Sequence, residues 1–153
     1  MDQMLVILKN DLAELDRLAE ATEQFGSRND WPVKVVYRLN LSLDELVTNV
    51  ISYGYEDGAE HRISIHFSYH EDHLTLVMQD DARPFNPIAR PDPDITQPLE
   101  ERGQGGLGIF LVRQTMDTTE YERRDGRNVL TMHKKIQREV PQSADGDTGN
   151  KNR

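Results

Sequence analysis

Proline dominates one internal segment of this 153-residue chain and interrupts regular structure there. Residues 83–104 hold five of the seven prolines. Proline lacks a backbone N–H and fixes φ, so neither a regular helix nor a central strand can run through the segment. The rest of the chain must fold around a loop of about 20 residues, and loops of that length inside a compact domain are often functional.

Regular patterns precede this loop. Met4–Lys9 predicts a short strand, and apolar side chains at helical spacing between Leu12 and Phe25 predict a helix that ends at Gly26. A longer core helix is predicted over Val33–Tyr53, with Pro32 in its first turn. Two alternating runs then predict a pair of antiparallel strands. These runs cover 62–67 and 73–78.

After the loop, residues 109–116 predict an amphipathic helix, and 118–124 with 128–136 predict a hairpin over Asp125 and Gly126. The order is β, α, α, β, β, loop, α, β, β. It predicts an α+β fold, a two-layer α/β sandwich with helices on one face of a mixed, mostly antiparallel sheet. Residues 1–137 form one predicted domain, and 138–153 form a flexible polar tail.

Composition excludes several classes of function. With no cysteine, the chain has no disulfide, thiol catalysis or cysteine-based zinc site. The net charge of −9 disfavours direct DNA binding. We find neither an apolar run long enough for a membrane helix nor a signal peptide, so a cytoplasmic location is expected. The five histidines form no zinc motif, and the first four are interpreted as solvated strand positions.

The long helix carries a line of polar side chains at spacings of four, three and four. They are Arg38, Ser42, Glu45 and Asn49, and we interpret them as lying opposite the apolar stripe. Glu45 is suited to accept a proton from a hydroxyl or water, and Asn49 offers a neutral oxygen to a cation such as Mg²⁺. The alternative is a solvated helix face.

Two further features flank the proline-rich segment. Asp80 and Asp81 follow an apolar strand, where an acid either accepts a hydrogen bond from a ligand amine or starts a turn. Glycines dominate 103–108 at the start of a helix. Their backbone N–H groups either approach a phosphate closely or serve only as a hinge. Their spacing fits neither a P-loop nor a Rossmann motif.

The order of these features resembles the nucleotide-binding fold of gyrase and histidine kinases, the histidine-kinase-like ATPase (GHKL) superfamily. Within it, the chain is most similar to the small stand-alone anti-sigma-factor serine/threonine kinases of bacteria. Asp44–Tyr55 is similar to that family's E-x-x-T-N-x-x-x-x-G-Y box, and 103–108 is similar to its second glycine box. The resemblance covers about residues 5–135.

The resemblance implies ATP and Mg²⁺ as cofactors. Glu45 would be the general base, Asn49 would ligate Mg²⁺, and Asp80 would accept the adenine amino group beside Ala82. Residues 83–104 would form the ATP lid. The positions implied to surround the phosphates are Arg102, Gly105, Gly106 and Gly108.

The first glycine box departs from the family pattern D-x-G-x-G. Ala82 and Pro84 replace its two glycines. Alanine adds one methyl group, and proline fixes φ and removes an N–H. The next residues, Phe85-Asn86-Pro87, are similar to a P-F-D-P ending found in many relatives. The change bears directly on nucleotide affinity.

The implied function is phosphorylation of an anti-sigma-factor antagonist protein on Ser or Thr, together with sequestration of a sigma factor. Relatives of this type often form homodimers. Two alternatives stay open on the sequence. One is a nucleotide-gated protein-binding regulator without kinase activity, which Ala82 and Pro84 favour. The other is a protein–protein adaptor that no longer binds ATP.

Overall fold

The computed structural model describes residues 1–89 and 106–139. Its strands are β1 (Asp2–Lys9), β2 (Arg62–His70), β3 (His73–Asp80), β4 (Thr118–Arg124) and β5 (Arg127–Lys135). Its α-helices are α1 (Leu15–Arg28), α2 (Val33–Tyr53) and α3 (Gly106–Thr115). Short 3-10 helices cover Leu12–Glu14 and Pro87–Ala89.

The five strands form one sheet in the order β1-β2-β3-β5-β4, and all four pairings between them are antiparallel. The predicted α+β class is confirmed. Two-residue turns close both hairpins, with positive φ at Glu71 (49°), Asp72 (66°), Asp125 (53°) and Gly126 (77°). Two successive residues in that region define the hairpin turn whose twist matches the strands.

The core lies between α1, α2 and one face of the sheet. Alternate residues of β2 and β3 are buried, as period-two strands require. Aromatic rings join the layers: Phe25 lies 5.3 Å from Trp31 and 5.4 Å from Phe67, centroid to centroid. Helix α2 buries Leu39, Leu43 and Val47 in the same core, so the positions of its polar side chains are determined by this packing.

Several sequence boundaries change by a few residues. Helix α1 continues past Gly26 and ends at Arg28. The backbone N–H groups of Asn29 and Trp31 both donate to the Gly26 carbonyl and so close the last turn of the helix. Pro32 is the N-cap of α2, with ψ of 141°, and lies just outside the first turn. Helix α3 begins inside the glycine-rich segment, at Gly106.

One interpretation of α2 is wrong. The polar line is no solvated face, because Ser42 is fully buried and Asn49 is only 9% exposed. Only Arg38 in that line is exposed, and Glu45 is half-buried. The proposed lid falls partly within the structure, since 83–89 are described and 90–104 lie outside the described residues. The predicted tail lies outside them too, apart from its first two residues. None of the described helices is long and apolar enough to cross a membrane.

Candidate functional site

A cavity of about 350 Å³ opens between the second half of α2 and the ends of β3 and β5. Its walls are mostly apolar, with contributions from Leu46, Val50, Met78 and Leu130. Polar side chains enter it at two places. We call Asp80, Ala82 and Asn128 the strand end, and Asn49 with its neighbours Glu45 and Gly108 the helix end.

Asp80 is the buried acid of the strand end. It is 2% exposed, and its Oδ1 accepts hydrogen bonds from Asn128 Nδ2 at 2.9 Å and from Ala82 N at 3.1 Å. Burial raises the pKa of Asp80, while these two donors oppose the shift. Among the described residues nothing donates to its other oxygen, Oδ2. That oxygen is therefore available to accept a hydrogen bond from a ligand.

Asn128 begins the apolar part of β5 directly opposite Asp80 in the register of β3 and β5. Its Nδ2 also reaches the carbonyls of Arg83 at 2.9 Å and Ala82 at 3.5 Å. Sequence reasoning missed this residue. The available signal was an amide two residues after the Asp-Gly turn, at the second position of β5 and just before its apolar run.

Ala82, which replaces the first glycine of the altered box, is packed into the wall of the cavity. It is 4% exposed, and a β-carbon built on Gly54 would lie 2.7 Å from the Ala82 Cβ. Arg83 N donates to the Gly54 carbonyl at 3.2 Å, and Arg123 Nη1 donates to the Ala82 carbonyl at 2.7 Å. The turn that lost its glycines is therefore held by neighbours on α2 and β4.

Asp81 faces away from Asp80 and belongs to a separate cluster. Its Oδ2 lies 3.1 Å from His61 Nδ1, and its Oδ1 accepts from the Tyr55 hydroxyl at 3.1 Å. His61 Nε2 lies 2.7 Å from Asp57 Oδ2, and the His61 ring stacks on Tyr55 at 4.2 Å. The bonds to Asp81 and Asp57 raise the pKa of His61. His61 is thus a loop residue held by two acids, which corrects its interpretation as a solvated strand position.

At the helix end, α2 places Glu45 and Asn49 one turn apart. Asn49 Nδ2 lies 3.4 Å from Glu45 Oε1, a long hydrogen bond. The contact uses the amide nitrogen and leaves the Asn49 oxygen, the atom that a hard cation takes as a ligand. In the described ranges no group of three or more His, Asp or Glu side chains is arranged to hold a metal. A cation at Asn49 would therefore share its coordination with ligand oxygens, as Mg²⁺ usually does.

Gly108, in the first turn of α3, lies directly against Glu45. A β-carbon built on Gly108 would overlap the Cγ, Cδ and Oε1 atoms of Glu45. The glycine therefore makes room for the carboxylate, a role that the sequence did not suggest. Gly106 is the first residue of α3. Arg102 and Gly105, the other predicted phosphate neighbours, lie outside the described residues.

The chain matches the family model for the histidine kinase-like ATPase domain over residues 8–134. It is 31% identical over 142 residues to serine-protein kinase RsbW of Bacillus cereus, which covers 90% of this chain and 86% of the relative. It is 29% identical over 112 residues to serine/threonine-protein kinase BtrW of Bordetella bronchiseptica, covering 72% of this chain and 78% of the relative.

Two solved structures are similar in fold. The first contains RsbU and RsbW domains of a Mycobacterium tuberculosis protein; it aligns with a TM-score of 0.62 at 10% identity. The second is the histidine kinase domain of a blue-light-activated kinase from Erythrobacter litoralis, with a TM-score of 0.51 at 19% identity. They cover 92% and 82% of this chain, which spans 34% and 60% of theirs.

Proposed function

The chain belongs to the histidine kinase-like ATPase family, in the branch of the RsbW serine-protein kinases, and on this premise we propose that it is an ATP-dependent serine/threonine protein kinase. Its substrate in this proposal is an anti-sigma-factor antagonist, and it sequesters a sigma factor. The observation that carries the proposal is the meeting of Asn49 and Asp80 in one cavity, with Glu45 beside Asn49.

ATP fits the two ends of the cavity in one orientation. The free oxygen of Asp80 would accept the adenine amino group, because an ionised carboxylate is an acceptor only. Apolar walls between Leu46 and Leu130 would cover the base. The phosphates would then extend toward Asn49 and the start of α3, where backbone N–H groups favour anions.

Asn49 is the residue that would hold Mg²⁺, through its amide oxygen. When bound, the ion supplies positive charge to the phosphate oxygens, which is its usual part in phosphoryl transfer. Glu45 would orient the partner's Ser or Thr hydroxyl and take its proton. The hydroxyl oxygen bonds to the γ-phosphorus as the bond to the β,γ-bridging oxygen breaks, and ADP leaves.

The choice of partner rests on branch membership and on charge. A net charge of −9 suits a protein partner better than a nucleic acid. Phosphate on the antagonist would weaken its contact with the kinase through charge and bulk, and would free the kinase for the sigma factor. A cytoplasmic location, a homodimer and the absence of direct DNA contact follow from the same premise and stay predictions.

Glu45 decides between this proposal and a nucleotide-gated regulator without kinase activity. A non-catalytic site has no use for a carboxylate held next to the residue that would bind the metal. The two functions therefore differ in phosphate transfer, while both require nucleotide binding.

Calorimetric titration with ATP, with and without Mg²⁺, is the first test. We expect binding that is tighter with Mg²⁺, and we expect Asn49→Ala to lose that dependence. Absence of ATP binding at millimolar concentration would contradict the proposal and favour the adaptor.

Transfer of labelled γ-phosphate from ATP to a candidate antagonist tests the catalytic step. Glu45→Gln keeps the shape of the side chain against Gly108 but cannot take a proton. We expect transfer to fall by about 10²- to 10⁴-fold, the usual contribution of a general base, with ATP affinity nearly unchanged. Asp44→Asn, at the neighbouring exposed acid, is the matched control. Transfer by Glu45→Gln at the parent rate would contradict the assignment of the base.

A further inference from the structure

Asn128 uses all of its hydrogen-bonding capacity within the protein. A carboxamide has two N–H donors and two acceptor sites. Its nitrogen donates to Asp80 Oδ1 and to the Arg83 carbonyl, both at 2.9 Å. Its oxygen accepts from Phe85 N at 3.2 Å and from the Tyr121 hydroxyl at 2.5 Å. Although Asn128 lines the cavity, it has no bond left to offer a ligand.

Those partners lie in three parts of the molecule. Asp80 ends β3, Tyr121 lies on β4, and Arg83 and Phe85 belong to the first turns after β3. Asn128 itself is only 6% exposed, and its bond to Asp80 is buried, whereas its bonds to Arg83, Phe85 and Tyr121 are partly buried. One side chain therefore fixes both the acid and the beginning of the segment that leaves it.

The turn after Asp80 needs such a support. Pro84 has no N–H, and Ala82 replaces the first glycine of the box. The carbonyls of Ala82 and Arg83 must still be satisfied near the cavity wall, because a buried carbonyl without a donor is costly. Asn128 donates to the Arg83 carbonyl, and Arg123 donates to the Ala82 carbonyl at 2.7 Å.

We propose that Asn128 is the positioning residue that gives this site its selectivity for a purine with an exocyclic amino group. By occupying Oδ1 of Asp80 together with Ala82 N, it directs Oδ2 into the cavity as an ionised acceptor. Such an oxygen attracts an amino group and repels a carbonyl at the same position of the base. This inference rests on the proposed nucleotide site and adds the residue that determines its selectivity.

ATP and ITP are the probes, since ATP carries an amino group at C6 and an acceptor at N1, whereas ITP carries a carbonyl at C6 and a proton on N1. We expect the parent to bind ATP about 10- to 100-fold more tightly than ITP, the range for one hydrogen bond to a charged group. Asn128→Leu keeps the side-chain size and removes every donor. It should bring the ratio of the two dissociation constants to within about threefold of one, mainly by weakening ATP.

A matched control removes another polar contact between the same two strands. His133 Nδ1 lies 3.2 Å from Thr75 Oγ1, joining β5 to β3 on the opposite face of the sheet. His133→Leu should retain the parent ratio. Asn128→Ser, which is smaller and cannot bridge the same groups, should lose the ratio as Asn128→Leu does, and it serves if the leucine variant does not fold.

The possible outcomes distinguish failure of the proposed function from failure of the role given to Asn128. A parent that binds neither nucleotide overturns the proposed function and this inference with it. A parent that binds ATP and ITP equally overturns the inference and leaves nucleotide binding intact. Folded Asn128 variants that keep the parent ratio overturn it as well, because a merely structural role would alter stability without altering selectivity.

Discussion

The strand end and the helix end of the cavity differ in how their side chains are held. At the strand end, Asp80 and Asn128 are almost fully buried and joined by hydrogen bonds of 2.9 to 3.2 Å to one another and to the following turn. At the helix end, Glu45 and Asn49 share one contact of 3.4 Å, and close packing of Gly108 limits Glu45.

This difference fits the roles proposed for the two ends, recognition of the base at the strand end and chemistry at the helix end. A saturated and buried hydrogen-bond network is rigid and discriminates among ligands, because a mismatched ligand leaves a buried polar group unpaired. A half-buried acid with a single long contact can instead engage a substrate hydroxyl without first breaking a strong bond. In the proposed function, the groups that would recognise the base are thus organised in advance, and the groups that would react are completed by substrate.

The largest expected effect comes from filling the space at the helix end. Gly108→Ala should improve helix propensity by about 1 kcal/mol, yet its β-carbon would overlap Glu45. We expect a net loss of about 1–3 kcal/mol in the free energy of unfolding, as overpacking produces, together with reduced phosphate transfer.

The cause of that loss can be isolated by a double-mutant cycle in urea unfolding. Glu45→Ala removes the side chain that the new methyl group would meet, so Gly108→Ala should no longer destabilise a protein that carries Glu45→Ala. Additive effects of the two substitutions would contradict direct contact as the constraint.

The next effect concerns the cost of burying Asp80 at the strand end. Burial raises its pKa above the ordinary 3.8, with Asp81 acting in the same direction and Asn128, Ala82 N and Arg123 acting against it. The folded state then binds the proton more tightly than the unfolded state. The stabilisation that Asp80 gives to the folded state is therefore complete below pH 3.8 and is lost as the pH rises through the pKa of Asp80 in the folded protein.

Asp80→Asn should therefore raise Tm by a few degrees near neutral pH while weakening ATP binding, and the gain should shrink as the pH falls toward 3.8. Asp81→Asn is the control of opposite sign. Burial raises the pKa of Asp81, but the bonds from His61 and Tyr55 outweigh burial and lower it. That variant should be less stable than the parent near neutral pH, and equal gains from both substitutions would contradict the assignment.

The smallest effect is expected at His61, outside the cavity. Asp81 and Asp57 raise its pKa above 6.5, so its stability contribution is complete below pH 6.5 and is lost as the pH rises through the folded value. His61→Gln should lower Tm slightly at pH 6, and the difference should vanish at alkaline pH. A Tm difference of the same size at pH 6 and at alkaline pH would contradict a stabilising role for the charge of His61.

The parts of the site that sequence could predict are those fixed by local spacing. The helix Val33–Tyr53 was predicted to within one residue, with Pro32 as its N-cap and not in its first turn, and its periodicity placed Glu45 and Asn49 one turn apart. The hairpin over Asp125 and Gly126 followed from its turn residues. In each case neighbours within a few positions along the chain determine the geometry.

The parts that were missed depend on pairing between distant segments. Asn128 reaches Asp80 only through the register of β3 with β5, and Gly108 reaches Glu45 only through the packing of α3 on α2. His61 looked like another strand histidine because its acids, Asp57 and Asp81, are brought together by a loop. Local periodicity cannot reveal such contacts, because it depends only on residues that are close together in the sequence.

Helix α2 also sets a length scale. It bears Glu45 and Asn49, the proposed base and metal ligand, and at its end Gly54 packs against Ala82 in the wall of the strand end. Nine residues from Glu45 to Gly54 correspond to about 13.5 Å along a helix axis. A single inserted residue between them would add about 1.5 Å and rotate one end by about 100° relative to the other. A change in the length of a surrounding loop would leave this spacing intact, whereas the proposed binding of one nucleotide at both ends requires the helix to keep its residue count.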